Sequence, residues 1–246
     1  MSLLSLERVT KRVRRGRLER TAVKDVSLEV QPGEMVAVWG PRRSGRSTLL
    51  RLAGGLELAE EGIVRFEGRD LARYRDAVLG RRLAYCQMSF ASRGLGLVVE
   101  YVAQGLLAQG ASQRDALRRA EDALARVGIE NCAQFVCNEL DGAEVARVAI
   151  ASALVSAPAL LIIDEPTSNV HQLERDPLLA LLRSIANEGI AVLMSASDAQ
   201  SLGGVDRPLS IDNGELLGEL SASERVVPLR PVFGESGEME SGTRQR

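Results

Sequence analysis

An α/β fold with a largely parallel, helix-covered sheet is predicted by the alternation of short apolar runs and amphipathic segments along the 246 residues. Two further patterns refine this prediction. Polar and apolar residues alternate at 3–9 and 26–30, as in half-buried strands. Residues 98–155 instead carry helical periodicity almost throughout. A helical subdomain is therefore expected to be inserted into the α/β core.

The remaining elements follow from local signals. Short apolar runs predict buried strands at 35–39, 160–163 and 190–194, and further strands are predicted at 63–66 and 83–86. Helices are predicted at 46–53, 113–127 and 177–186. The sequence Asp212-Asn213-Gly214 predicts a tight hairpin turn near the end. We expect one domain over residues 1–225, with its helical subdomain at about 90–155, and a flexible tail over 226–246.

The composition is that of a soluble globular protein, with 45% hydrophobic and 26% charged residues. Aromatic residues make up 3% and the net charge is −2, which argues against a nucleic-acid partner. No apolar run approaches the roughly 20 residues of a membrane helix, so membrane association is expected to come through a partner. The three cysteines form no CxxC pair, which favours a reducing compartment.

One short stretch is strongly basic despite this balance. Six Lys and Arg residues lie between positions 11 and 20. The stretch is expected to form a solvated loop between two strands. The alternative is a contact with phosphate or with a partner.

A glycine-containing loop follows the predicted strand at 35–39 and leads into a helix. It consists of Gly40, Pro41, Arg42, Arg43, Ser44, Gly45, Arg46, Ser47 and Thr48. The phosphate-binding pattern G-x-x-x-x-G-K-[ST] fits at every fixed position except the lysine, which is replaced by Arg46. Such loops direct backbone N–H groups at a phosphate, and Ser47 would ligate Mg²⁺. An Arg-rich strand-to-helix turn without a ligand is the alternative for this loop alone.

A pair of acids follows a second aliphatic run. Residues 160–163 read Leu-Leu-Ile-Ile and lead into Asp164-Glu165-Pro166-Thr167-Ser168. The apolar run places Asp164 at the carboxyl end of a buried strand, where α/β folds bind their ligands. Asp164 would support Mg²⁺, and Glu165 would orient or deprotonate an attacking water.

Together these motifs resemble those of ATP-binding-cassette (ABC) transporter subunits, over residues 3–220. Gln87 matches the glutamine that contacts Mg²⁺ and the membrane partner in that family. The family's LSGGQ signature is matched by Leu140, Asp141, Gly142, Ala143 and Glu144. The sequences around 49–57 and 98–102 are most similar to the lipoprotein-releasing and macrolide-exporter branch.

The resemblance implies a P-loop NTPase core with a mostly parallel sheet, an N-terminal antiparallel β subdomain and an inserted α-helical subdomain. It implies ATP and Mg²⁺ as ligands. It also implies two partners, an integral membrane permease and a second cassette. The implied location is the inner face of the cell membrane, on the cytoplasmic side.

Several positions depart from the family pattern, and they cluster on the chemistry. Arg46 replaces lysine, and Asp141 replaces the signature serine that donates to the γ-phosphate bound by the opposite subunit. His171 lies where the family has the D-loop aspartate, and Ser197 lies where it has the switch histidine. Val13 lies near the position at which an aromatic residue of the family usually stacks on adenine. A second interpretation of Asp141 is that it caps the N-terminus of a helix, because aspartate is a good N-cap residue.

These departures leave two functions open. The chain is expected to couple ATP binding, with impaired hydrolysis, to a transporter. The alternative is a degenerate subunit that regulates or scaffolds the complex without hydrolysing ATP. A soluble cassette ATPase acting on nucleic acid is disfavoured by the net charge and by the absence of coiled-coil heptads.

Overall fold

The computed structural model describes residues 2–16, 18–78, 81–86, 88 and 96–219. Its strands are β1 (Leu4–Arg15), β2 (Leu18–Val30), β3 (Met35–Trp39), β4 (Glu61–Phe66), β5 (Arg69–Asp70), β6 (Leu83–Cys86), β7 (Leu160–Ile163), β8 (Ala191–Ala196), β9 (Arg207–Asp212) and β10 (Glu215–Glu219). Its helices are α1 (Arg46–Ala53), α2 (Leu71–Val78), α3 (Val98–Ala108), α4 (Gln113–Arg126), α5 (Gly142–Leu154) and α6 (Gln172–Asn187). The predicted tail at 226–246 lies outside the described residues.

The strands form two sheets. One has the order β10-β9-β3-β8-β7-β6 and is parallel except for β10, which pairs antiparallel with β9. The other is antiparallel, with the order β2-β1-β4-β5. This arrangement confirms the predicted fold class. The boundaries of the domain and of its helical part stay a prediction.

Both faces of the parallel sheet are covered. Along β3, Val36 and Val38 pack into the cluster shared with the antiparallel sheet and α1. Met35 and Ala37 point the other way, into the cluster formed with helices α3 to α6. Side chains of a strand alternate between faces, so a strand apolar at every position is buried on both sides. This is why β3 and β7 appear in the sequence as continuous aliphatic runs.

The basic stretch at 11–20 is not the loop that the sequence predicts. Its residues extend β1 to Arg15 and begin β2 at Leu18, leaving a two-residue connection. Two acidic residues stabilise the extension, Glu61 in β4 and Glu60 just before it. Arg12 pairs with both at about 3 Å. Charges that look solvated in the sequence are thus neutralised by a neighbouring strand.

Two element boundaries also differ from the prediction. Helix α6 starts at Gln172, five residues earlier than expected, and contains Pro177. Proline removes one helical hydrogen bond, here the one to the carbonyl of Leu173, a residue that is itself exposed. Strand β8 continues past Met194 to Ala196, which brings Ser195 into the sheet.

The hairpin turn between β9 and β10 is confirmed. Asp212 pairs with Glu215, leaving Asn213 and Gly214 as a two-residue loop. Both have positive φ, 47° and 86°, as a type I′ turn requires. In the part of the chain that the structure describes, no helix is both long enough and apolar enough to cross a membrane.

Candidate functional site

The phosphate-binding loop and the acid pair meet at one edge of the parallel sheet. Strand β8 lies between β3 and β7, and all three run in the same direction. The loop 40–48 leaves the carboxyl end of β3, and Asp164-Glu165 leave that of β7. Ligands of open α/β sheets bind in the crevice at this edge. The fold therefore brings the two predicted motifs together.

The loop requires glycine at two positions. Gly45, at φ 114°, precedes the first residue of α1, and a side chain there would collide with the backbone carbonyl of Ala22. A side chain at Gly40 would collide with the carbonyl of Ile211 and approach the Ser44 hydroxyl. Arg43 also has positive φ, 67°, and its side chain is exposed. The tight backbone is thus retained even though Arg43 is not glycine.

Two backbone carbonyls of this loop accept hydrogen bonds from neighbouring elements. The N–H of Gly214 donates to the Ser44 carbonyl at 2.7 Å. The Arg20 guanidinium, from β2, donates to the Arg43 carbonyl at 2.8 Å. In a trans peptide the N–H points opposite to the C=O, so the Gly45 N–H faces away from the turn that holds Ser44. No pattern in the sequence predicts this contact of Arg20.

Arg46 lies inside the site and is engaged with the acid pair. Its side chain is 6% exposed, and Nη2 lies 2.7 Å from Oε1 of Glu165, which is 33% exposed. Within the described residues, Arg46 Nη1 and the Ser44 hydroxyl are buried without a hydrogen-bond partner. Buried polar groups are normally paired, so two unpaired ones in a single loop indicate a ligand with acceptor oxygens. A phosphate fits this requirement.

The two acids are fixed by a serine from the adjacent strand. Ser195 donates to Asp164 Oδ1 at 2.6 Å and accepts the Glu165 N–H at 2.9 Å. Glu165 has φ 50°, a conformation that costs an L-residue roughly 1–2 kcal/mol. Sequence reasoning missed Ser195, although a hydroxyl within an otherwise apolar strand is a signal that could have identified it.

The signature-like segment 140–144 starts helix α5. Asp141 is the N-cap, accepting the Glu144 N–H at 2.8 Å, while Glu144 accepts the Asp141 N–H at 2.9 Å. The capping interpretation of Asp141 is thus confirmed. A side chain at Gly142 would collide with the carbonyl of Asn169, so this segment packs against the loop that follows the acid pair.

The same segment sits beside a buried cysteine. The Cys132 thiol lies 3.4 Å from Glu144 Oε1. Burial, with the nearby Glu144 carboxylate adding to it, raises the pKa of Cys132 to about 11. The thiol is therefore protonated near neutral pH and is a poor nucleophile.

The remaining predicted site residues differ in where they lie and in how exposed they are. Ser197 is exposed just beyond β8. His171 is an exposed N-cap of α6, with its Nδ1 3.5 Å from the Leu173 N–H. Pro41 and Arg42 are exposed, whereas Ser47 is half-buried and Thr48 buried in the first turn of α1. Gln87 lies outside the described residues.

The residues present suit a magnesium ion bound together with phosphates. Ser47 and Asp164 offer a hydroxyl and a carboxylate, which are hard oxygen ligands. Among the described residues, Ser195 bonds to Oδ1 of Asp164 and no other hydrogen bond to this carboxylate is formed, which leaves Oδ2 for a metal. Over the described ranges, no three His, Cys, Asp or Glu side chains cluster as a metal site. Mg²⁺ commonly takes one or two protein ligands and completes its shell with phosphate and water.

Comparisons with known proteins identify the family of this chain. The sequence model of the ABC transporter family matches residues 23–168. The lipoprotein-releasing system ATP-binding protein LolD of Chromohalobacter salexigens is 36% identical over 227 residues, which are 87% of this chain and 92% of LolD. The macrolide export ATP-binding/permease protein MacB of Pasteurella multocida is 27% identical over 92% of this chain and 35% of MacB.

A solved structure shows the same fold. The dimeric bacterial ABC transporter cassette MJ0796 superposes with a TM-score of 0.78 at 26% identity, covering 88% of this chain and 97% of the cassette. MJ0796 has also been solved in a post-hydrolysis state bound to ADP and Pi, with a TM-score of 0.76. The resemblance derived from the motifs is confirmed, including its nearness to the lipoprotein-releasing and macrolide-exporter branch. The chain belongs to the ABC transporter family and is built as one of its ATP-binding cassettes.

Proposed function

We propose that this chain is the ATP-binding subunit of a transporter complex, and that it binds ATP with Mg²⁺ at the loop 40–48. One observation carries the proposal. The buried Arg46 guanidinium contacts Glu165 with one nitrogen, while its other terminal nitrogen and the Ser44 hydroxyl lack partners among the residues that the structure describes. These groups would bind the phosphates, with Ser47 and Asp164 holding the metal. Mg²⁺ would neutralise charge on the phosphates during transfer.

We further propose that hydrolysis is slow. Glu165 Oε1 is held by Arg46, so this oxygen is not free to accept a proton from water while the pair is intact. Asp141 would bring a carboxylate toward the γ-phosphate of a partner subunit. Two like charges 4 Å apart at an effective dielectric of 20 repel by roughly 4 kcal/mol. Ser197 offers no imidazole at the switch position.

The relatives' names support a proposal for the partners and the location of this chain. LolD belongs to a lipoprotein-releasing system, MacB combines an ATP-binding part with a permease, and MJ0796 forms a dimer. We propose an integral membrane permease and a second cassette, identical or different, as the partners of this chain. It would then lie on the cytoplasmic face of the membrane. A purely scaffolding role without hydrolysis is less favoured, because Asp164 and Glu165 are both present and ordered by Ser195.

The proposal is tested by measuring Mg·ATP binding and hydrolysis for the wild type and for the triple variant Arg46→Lys, Asp141→Ser, Ser197→His. The wild type is expected to bind Mg·ATP and to hydrolyse it on the order of 10²-fold more slowly than the variant, since each restored group positions or stabilises the reacting phosphate. Serine is as good an N-cap as aspartate, so α5 is retained. A wild type that binds no nucleotide would overturn the binding function. Equal rates in the two proteins would overturn the proposed impairment.

Arg20 is predicted to support nucleotide binding from outside the loop. Its charged hydrogen bond to the Arg43 carbonyl stabilises a backbone held at positive φ. Replacing Arg20 by alanine should cost about 1 kcal/mol, which is roughly a fivefold loss of ATP affinity measured by calorimetry. Arg14→Ala is the matched control, because it removes the same charge from the same hairpin, where Arg14 pairs with Glu19 alone among the described residues. Equal losses in both variants would indicate a general charge effect and contradict the prediction.

A further inference from the structure

Ser195 occupies the centre of the site without belonging to any of its motifs. It lies in β8, between the strand that carries the phosphate-binding loop and the strand that carries the acid pair. It pairs with Val38 of β3, two residues before Gly40, and it follows Met194, which pairs with Ile163 of β7. Its side chain is fully buried, at 0% exposure. This position lets one hydroxyl reach both acids.

The hydroxyl makes one hydrogen bond to each acidic residue, as the donor in one and as the acceptor in the other. Its proton is donated to Asp164 Oδ1 at 2.6 Å, and its oxygen accepts the Glu165 N–H at 2.9 Å. Because a serine hydroxyl has a single donor, the direction of both bonds is fixed. The first bond sets the rotation of the Asp164 carboxylate. The second bond holds the Glu165 backbone at its left-handed φ of 50°.

The network continues into the phosphate-binding loop. Glu165 Oε1 pairs with Arg46 Nη2 at 2.7 Å, so Ser195, Glu165 and Arg46 form one connected chain. A shift of the Glu165 backbone would move its carboxylate relative to Arg46. Ser195 therefore contacts both Asp164, the proposed metal ligand, and Glu165, the proposed proton acceptor.

We infer that Ser195 is a positioning residue, which turns Asp164 toward the Mg²⁺ of bound ATP and holds Glu165 facing Arg46. This inference rests on the proposed function. A serine that merely fills a buried strand position would contribute to stability only. Outer-shell partners of metal ligands, when removed, typically weaken metal affinity 10- to 100-fold, so the two roles differ measurably.

The test is the affinity of Mn²⁺, used as a paramagnetic probe for Mg²⁺, in the presence of a non-hydrolysable ATP analogue. Ser195→Ala is expected to weaken Mn²⁺ binding roughly 10- to 100-fold by electron paramagnetic resonance. Its affinity for the analogue in EDTA should equal that of the wild type. Ser195→Thr keeps the hydroxyl and should recover most of the metal affinity, even if its extra methyl group lowers stability.

Ser201→Ala is the matched control. Ser201 is also a buried serine whose hydroxyl makes two hydrogen bonds, to Asp198 and Thr167, but it contacts neither Asp164 nor Glu165. It should lose thermal stability much as Ser195→Ala does, with Mn²⁺ affinity unchanged. Unchanged Mn²⁺ affinity in Ser195→Ala, or an equal loss in Ser201→Ala, overturns the positioning role alone. A wild type that does not bind the analogue overturns the proposed function as well.

Discussion

Replacing Glu165 by glutamine is expected to lower ATP turnover by roughly 10²- to 10⁴-fold, the usual contribution of a positioned proton acceptor. Glutamine keeps the size of the side chain but cannot take a proton from water. Affinity for Mg·ATP should be retained, because Arg46 and the loop amides remain. Single-turnover phosphate release with excess protein measures the residual rate, even where steady-state turnover is slow.

The same variant should also respond differently to nucleotide. Without nucleotide, Arg46 is a buried cation whose anionic partner is Glu165. The substitution leaves that cation with a neutral partner, at a cost of about 1–2 kcal/mol, discounted for the partial exposure of Glu165. ATP would supply new anionic oxygens, so the rise in melting temperature on adding ATP should be larger than in the wild type.

The control is Glu174→Gln, the same change at an exposed position in the first turn of α6. It should alter neither turnover nor the melting shift. If Glu165→Gln hydrolysed ATP at the wild-type rate, the assignment of Glu165 as the group acting on water would be wrong. If its melting shift matched that of the wild type, the Arg46–Glu165 pair would not be the contact that ATP replaces.

Replacing Gly45 by alanine is expected to abolish measurable ATP binding and to reduce the free energy of unfolding by at least about 2 kcal/mol. Two effects add. The φ of 114° is unfavourable for any residue with a side chain, and the new methyl group would collide with the Ala22 carbonyl. The methyl group and the Ala22 carbonyl are both fixed to the backbone and cannot rotate away, so the loop must move to relieve the contact. Its amides would then no longer converge on a phosphate.

Gly105→Ala serves as the control for this substitution. Gly105 lies within α3, and a side chain there meets nothing within 4 Å. Alanine should stabilise the helix by about 0.5–1 kcal/mol and leave ATP binding unchanged. Urea unfolding and calorimetric ATP titration distinguish the two variants. Wild-type ATP affinity in Gly45→Ala would show that the loop geometry is not needed for binding.

The motifs that define the family are local, and the sequence was sufficient to find them. Continuous aliphatic runs predict strands covered on both faces, and β3 and β7 have such runs because the sheet is packed on both sides. The spacing of Gly40, Gly45 and Ser47 reflects a loop geometry contained within nine residues. Asn213 and Gly214 likewise specify their own turn.

Contacts between distant segments could not be read in the same way. Arg12 of the first hairpin looks solvated in the sequence, but it pairs with Glu61 of β4 and with the preceding Glu60. Nothing in the sequence around Arg20 indicates that its side chain donates a hydrogen bond to the Arg43 carbonyl. The predicted strand ends at Met194, one residue before Ser195, whereas β8 continues to Ala196.

The sequence by itself determined the fold class, the phosphate-binding loop and the acid pair, since each depends on residues adjacent in the chain. Only the tertiary structure decided how these groups are engaged. Arg46 meets Glu165 across 119 positions because β3 and β7 are both neighbours of β8. Ser195 reaches both acids for the same reason. Sheet order is set by packing and long-range pairing, and one sequence without its fold does not specify which strand lies between two others.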